Sequence, residues 1–183
     1  MRSHALVGGR TYTGTMMRVP CTSPVVDFFI DPVDAIEVMH QSFAEYSLKG
    51  APSGAMLETA ETLRACIADG TTRLAGVRSN GHLQAVTKFS NTKPGTVAFS
   101  RLAVLPTCRG LGYASLLVRA LRELATAQGL VLTCTVRAEE TGNIALYEHL
   151  GMEIVSSGTR ASLTGRVVDV VDMKDISARR TRS

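Results

Sequence analysis

Apolar positions along this chain alternate between a period of two and a period near 3.6, and the changes of period mark its elements. Val25 to Ile30 is a short apolar run, read as a first strand. Asp31-Pro32 then predicts a helix start, because Asp caps and Pro suits a first turn. Ala35, Val38, Met39, Ser42, Phe43 and Tyr46 are helically spaced behind it, and Lys49 to Gly54 breaks the helix. A second helix is expected over 56–68, with Leu57, Ala60, Leu63 and Ile67 inward. Thr71 to Arg78 and Leu83 to Ser90 read as strands around the hairpin-forming cluster Ser79-Asn80-Gly81. Leu130 to Val136 is a continuous apolar strand of the kind buried on both faces. A short helix is expected over 143–150, and strands at Glu153–Ser157 and Val167–Met173 would complete a sheet.

The most informative stretch is V-A-F-S-R-L-A-V-L-P-T-C-R-G-L-G-Y, Val97 to Tyr113. Val97 and Phe99 lie on odd positions, Leu102 and Val104 on even ones. A strand cannot change the parity of its buried face without an extra residue, so a β-bulge is expected near Ser100–Arg101. Pro106 has no N–H and ends the pairing. Arg109-Gly110-Leu111-Gly112 follows, bare of side chains at two positions. Ala114 to Gln128 then has helical spacing, with Leu117, Ala120, Leu121 and Leu124 on one face, and Gly129 ends it. Free amides and the dipole at the start of that helix make an anion site suited to phosphate.

Composition narrows the field. The chain has 183 residues, 45% hydrophobic and 20% charged, enough for one domain with a full core. Its formal charge of +4 comes from six arginines near the two ends, in 1–26 and 179–183; the remainder carries 14 basic and 16 acidic residues. That argues against a basic nucleic-acid-binding face. The division expected is an N-terminal arm over 1–23, one domain over 24–176 and a basic tail over 177–183. Cys21, Cys66, Cys108 and Cys134 are widely spaced with no C-x-x-C pair, which argues against a metal site and a disulfide framework. No apolar run reaches membrane-spanning length, and the first residues lack a signal peptide's apolar core; a cytoplasmic setting is the default expectation.

R-G-L-G-Y-A after L-A-V-L-P resembles the acyl-CoA signature Arg/Gln-x-x-Gly-x-Gly/Ala of the GNAT superfamily of N-acetyltransferases, and N-I-A-L-Y-E-H-L-G-M (143–152) resembles that family's Asn-x-x-x-Tyr-Glu-x-x-Gly-Phe segment. The two motifs stand in the family's order. The resemblance implies an α/β fold with a mixed, mostly antiparallel central sheet flanked by helices, in the order β-α-α-β-β-β-α-β-α-β-β. It implies acetyl-CoA as cosubstrate and no metal. The loop Arg109, Gly110, Leu111, Gly112, Tyr113 and Ala114 would bind the pyrophosphate, with Arg109 either contacting phosphate or solvated. Leu102, Ala103 and Val104 would offer amides to the pantetheine arm. Tyr147 would be the general acid that protonates the departing thiolate; its alternative is a core aromatic. Asn143 would either hydrogen-bond the arm or cap its helix.

A general base is not evident. The bulged strand offers only Ser100 and Arg101, and Glu45, Glu58, Glu61, His40 and Glu139 are candidates only by proximity in the chain. The expected activity is direct acetyl transfer to a small-molecule amine, with the acids of 45–61 available to attract a cation. A protein or peptide acetyltransferase and a non-catalytic acyl-CoA-binding module are the alternatives, and a homodimer stays open. Gly110-x-Gly112-x-x-Ser115 is also a degenerate dinucleotide-binding fingerprint, but Val131, Leu132 and Thr133 stand where its ribose-binding acid belongs. No Gly-Lys-Ser/Thr follows, which excludes a P-loop.

Overall fold

Among the described residues, seven strands and four helices follow in the order β1 (Val25–Asp27), α1 (Pro32–Leu48), α2 (Ala60–Ala68), β2 (Arg73–Ser79), β3 (His82–Ser90), β4 (Thr96–Val104), α3 (Tyr113–Ala127), β5 (Val131–Arg137), α4 (Thr141–His149), β6 (Met152–Ala161) and β7 (Val167–Asp175). This is the order expected from the sequence. The computed structural model describes residues 23–48, 53–161 and 165–176. Nearly all of the expected arm, the tail, and residues 49–52 of the first helix break lie outside the described residues.

All strands form one sheet, β1-β2-β3-β4-β5-β7-β6. Only β4 and β5 are parallel neighbours, because the chain between them crosses over through α3; the other pairs are antiparallel. A dinucleotide-binding fold would be mostly parallel, so the degenerate glycine fingerprint loses its structural context.

Local chemistry explains most boundaries. Asp27 Oδ1 accepts the Phe29 amide at 2.8 Å, which turns the chain and stops β1 three residues short of the expected end. Phe29 is left 90% exposed. Asp31 Oδ1 accepts the Val33 amide at 2.7 Å and starts α1 as expected. Asn80 and Gly81 both have positive φ, 51° and 80°, between the paired residues Ser79 and His82. A two-residue type I′ turn needs that conformation, and Asn-Gly supplies it cheaply.

The second helix departs from expectation. Gly54–Leu57 is a short 3-10 turn, Glu58 is extended, and α2 begins only at Ala60. Thr59 and Thr62 cap one another reciprocally, Thr62 N to Thr59 Oγ1 at 3.2 Å and Thr59 N to Thr62 Oγ1 at 3.0 Å. That box is a start signal inside the apolar spacing, and it turns Leu57 outward to 59% exposure. β5 also departs: Leu132, Cys134 and Val136 are buried, but Thr135 is exposed.

Two apolar clusters lie on opposite faces of the sheet. One holds Val97, Phe99, Leu132, Met173 and the inner faces of α3 and α4. The other holds Leu74, Val86 and Ala103 beneath α1 and α2. The predicted parity switch in β4 is present. Val97 and Phe99 belong to the α3 face before the bulge, Leu102 and Val104 pack on it afterwards, and Ala103 turns to the other side.

The bulge is set by its neighbours. Val86 pairs with Ala103 and Lys88 with Ser100, so Thr87 faces two residues, Arg101 and Leu102. Arg101 has φ 53°. Left-handed backbone costs a non-glycine residue about 1–2 kcal/mol, so it persists only where surroundings hold it. Thr87 is fully buried, and its hydroxyl donates to the Ser100 carbonyl at 3.0 Å. Glu58 completes the clamp: Oε1 accepts from Arg101 Nε at 2.7 Å, and Oε2 from Lys88 Nζ at 2.6 Å. The Glu58 carbonyl meets His40 Nε2 of α1 at 3.1 Å. One residue thereby joins α1, β3 and β4, its carbonyl meeting α1 and its carboxylate meeting both strands.

Burial alone would raise the Glu58 pKa, but the hydrogen bonds and charges of Lys88 and Arg101 outweigh it and hold the carboxyl below its ordinary value of 4.5. A depressed pKa adds stability that is complete above the unfolded value and is lost as pH falls through the folded one. Glu58→Gln is therefore expected to destabilise the protein by about 1–2 kcal/mol at pH 7. The gap to wild type should narrow as pH drops below 4.5. Urea unfolding of both proteins at pH 7 and pH 3.5 checks this; a gap independent of pH would contradict it.

Candidate active site

β4 and β5 are paired only from Thr96–Phe99 against Val131–Cys134. Beyond Phe99 and Cys134 both strands continue without pairing to each other, and the gap between them opens toward their C-terminal ends. A cavity of about 630 Å³ occupies that gap. Its walls come from β4, the glycine loop, the start of α3, the end of β5, α4, and Ser42, Phe43 and Glu45 of α1.

The wide end is the glycine loop. Gly112 is the N-cap of α3 with φ 81°, and Gly110 has φ 79°. A Cβ built at either glycine would meet nothing within 4 Å. These glycines are thus not demanded by packing against the protein; their backbone needs positive φ, and the space over them is open to a ligand. No side chain caps α3, so its first amides keep their hydrogen-bonding capacity. This fits a diphosphate.

β4 forms one wall. The Leu105 amide donates to the Gln84 carbonyl on the β3 side at 3.0 Å. Strand alternation then turns the amides of Leu102 and Val104 toward the gap and that of Ala103 toward β3. All three residues line the cavity.

At the narrow end, where the strands part, stand Phe99, Ser100, Arg101, Cys134, Thr135 and Tyr147. Tyr147 is buried and meets the Phe99 ring edge-to-face, centroids 5.3 Å apart. Such a pair fixes a ring beyond what area burial does. Burial, with the charge of Asp172 adding to it, pushes the Cys134 thiol up to about 12, so it stays protonated near neutrality and is no nucleophile.

Of the residues singled out from the sequence, Tyr147, Leu102, Ala103, Val104, Arg109, Gly110, Gly112, Tyr113, Ala114 and Asn143 all border this one cavity. Leu111 does not; it points outward, 62% exposed. Arg109 is exposed but not free: it bonds Glu45 Oε1 at 2.6 Å and the Ser42 carbonyl at 3.2 Å, tying the loop to α1. Asn143 does not cap its helix, because α4 begins at Thr141 with Glu140 at the N-cap position. One reading of Asn143 is thereby removed, and its side chain is a cavity residue.

The acids expected to attract a cation are engaged. Glu58 is clamped by Lys88 and Arg101, Glu45 by Arg109, and Glu61 sits at the surface beside Arg64. Among the base candidates only Glu45 lines the cavity, at the loop end rather than the narrow end. Sequence reasoning missed Thr135, Arg137 and Glu140. They follow the buried half of β5, and their signal was positional: in a β-α-β crossover, the C-terminal ends of adjacent parallel strands frame the ligand crevice. Among the described residues no group of three or more His, Cys, Asp or Glu is arranged for a metal, and no helix is long and apolar enough to cross a membrane.

Comparison with known proteins agrees with this geometry. No curated protein matches by sequence. Among solved structures, the ribosomal-protein-S18-alanine N-acetyltransferase of Escherichia coli is 19% identical, with TM-score 0.64 over 84% of this chain and 93% of its own. The yncA protein of Salmonella typhimurium, solved with its cofactor acetyl-CoA, is 17% identical, with TM-score 0.63 over 84% and 93%. A spermidine N-acetyltransferase chimera from Vibrio cholerae and a human enzyme is 19% identical, with TM-score 0.65 over 88% and 100%. The model of the acetyltransferase (GNAT) family matches residues 36–152, which contain both motifs and every wall of the cavity. The chain therefore belongs to the acetyltransferase (GNAT) family, as an acetyl-CoA-dependent N-acetyltransferase.

Proposed function

We propose that the protein transfers the acetyl group of acetyl-CoA directly to the amine of a small molecule. The observation that carries this reading is the parting of β4 and β5 at Phe99 and Cys134, with open glycines at one end of the gap and Tyr147 at the other. Acetyl-CoA supplies a thioester. The loop from Arg109 to Ala114 holds its diphosphate through backbone amides, and the amides of Leu102 and Val104 hold the arm and polarise the thioester carbonyl. Asn143 borders the same channel. The amine nitrogen bonds to the acetyl carbon, the C–S bond breaks, and the Tyr147 hydroxyl gives its proton to the leaving sulfur. Burial holds the Cys134 thiol protonated, which argues against an acetyl-enzyme formed on that residue.

Removal of the amine proton needs a separate account. Phe99, Ser100, Arg101, Cys134, Thr135 and Tyr147 at the narrow end include no carboxylate and no imidazole. The amine is therefore taken up in its neutral form, with water accepting its proton. A small acceptor fits because α1 closes the cavity with Ser42, Phe43 and Glu45. The neighbours named above include enzymes for spermidine and for a ribosomal protein, so the fold accommodates both classes of acceptor.

Three outcomes are expected. Gly112→Ala places a methyl in the open space over the loop and should weaken acetyl-CoA binding at least tenfold by isothermal titration; normal affinity would refute the loop assignment. Tyr147→Phe keeps the ring pair with Phe99 and removes only the proton. It should lower kcat by roughly 100-fold, with acetyl-CoA affinity within twofold. In a thiol-release assay on small amines beside lysine peptides and peptide N-termini, small amines should turn over. Their kcat/KM should rise with pH around each amine's own pKa, so the inflection moves from amine to amine. Turnover of peptides alone would overturn the small-acceptor reading, and a common inflection for all amines would reveal an enzyme base.

A further inference from the structure

Arg101 stands out at the narrow end. It lines the cavity beside Ser100 on the bulged strand, in left-handed backbone. Three features hold it there: the buried Thr87 hydroxyl on the Ser100 carbonyl, the Glu58 carboxylate on Arg101 Nε, and the His40 ring on the Glu58 carbonyl. Only Nε is engaged; the two terminal amino groups of the guanidinium have no hydrogen-bond partner among the described residues. The side chain is 28% exposed, so it is neither sealed in the core nor loose in solvent. Lys88 shares the same carboxylate, leaving the cluster of Lys88, Arg101 and Glu58 with one net positive charge.

A guanidinium pinned through Nε presents its outer fork in a fixed orientation, matched to the two oxygens of a carboxylate. Strain retained at one residue, with several contacts maintaining it, points to a role beyond folding. We infer that Arg101 is the specificity residue for the acceptor and selects a small amine that carries a carboxylate, such as an amino acid. This rests on the small-amine reading above and deepens it. A bare polyamine would face a cation at the point of reaction; an amino acid would place its carboxylate on the Arg101 fork and its nitrogen toward the thioester. The same positive charge lowers the pKa of a nearby ammonium and favours the neutral nucleophile, which suits a narrow end whose residues include no carboxylate or imidazole.

The test compares L-amino acids with their carboxamides as acceptors, in wild type, Arg101→Gln and Arg101→Lys. Wild type should prefer the carboxylate member of each pair at least tenfold in kcat/KM, mostly through KM. Arg101→Gln should abolish that preference while leaving the KM for acetyl-CoA within twofold. Arg101→Lys, a point charge without the fork, should restore only part of it. Should the variants fail to fold, the wild-type pairs decide alone. Equal use of acids and amides, or a preference for amides, overturns this assignment and leaves the small-amine reading standing. An equal loss on both members in Arg101→Gln, with no change in preference, also overturns it. No turnover of any small amine, with acetyl-CoA still bound, removes the small-amine reading and this inference with it.

Discussion

Everything in this molecule depends on β4 and β5 staying paired for four residues and no further. The parallel ladder of Thr96–Phe99 with Val131–Cys134 anchors the sheet centre, and its end creates the cavity. Two constraints enforce the break. On one side the bulge at Arg101 and Leu102 bends β4 and shifts its register against β3. On the other, β5 continues its ladder with β7 through Arg137, which holds its second half in the sheet away from β4. Unpaired main chain at a sheet centre would ordinarily be costly, so this arrangement suits a ligand that supplies the missing hydrogen bonds.

The same break organises the side chains. Phe99 is the last paired residue of β4, and its ring fixes Tyr147 of α4. The glycine loop follows β4 directly, so the strand that turns its amides into the gap also aims α3 at the gap's open end. Ala103 packs under α1, while Leu102 and Val104 face α3. The bulge therefore links both cores to the site.

Charge distribution refines the chemistry. Acids that look like an attractive surface in one dimension are each committed to a cation in three: Glu58 to Lys88 and Arg101, Glu45 to Arg109. The narrow end is left with a cation and no base. In the reading proposed above, its electrostatics favour a neutral nitrogen attached to an anionic group, the reverse of what the acid count alone suggests.

Much of this was legible in the sequence because its causes are local. Asp31-Pro32 starts α1, Asn80-Gly81 closes the hairpin, and the change of parity between Phe99 and Leu102 requires a bulge, each through the conformational limits of the residues themselves. The glycine loop was legible for a related reason: a helix start open to an anion demands a recognisable local pattern, whereas Tyr147 was singled out only through the resemblance of its segment to one of the family's. What the sequence could not decide were the partners of long side chains. Residues 30 and 43 positions apart from Glu58 claim its two oxygens, and Arg109 reaches back 67 positions to α1. Such pairings follow from which strands become neighbours, and a carboxylate's charge says nothing about which cation will reach it. Tertiary structure alone brought Arg101, a residue read at first as the absence of a base, into the cavity wall with its Nε held by Glu58.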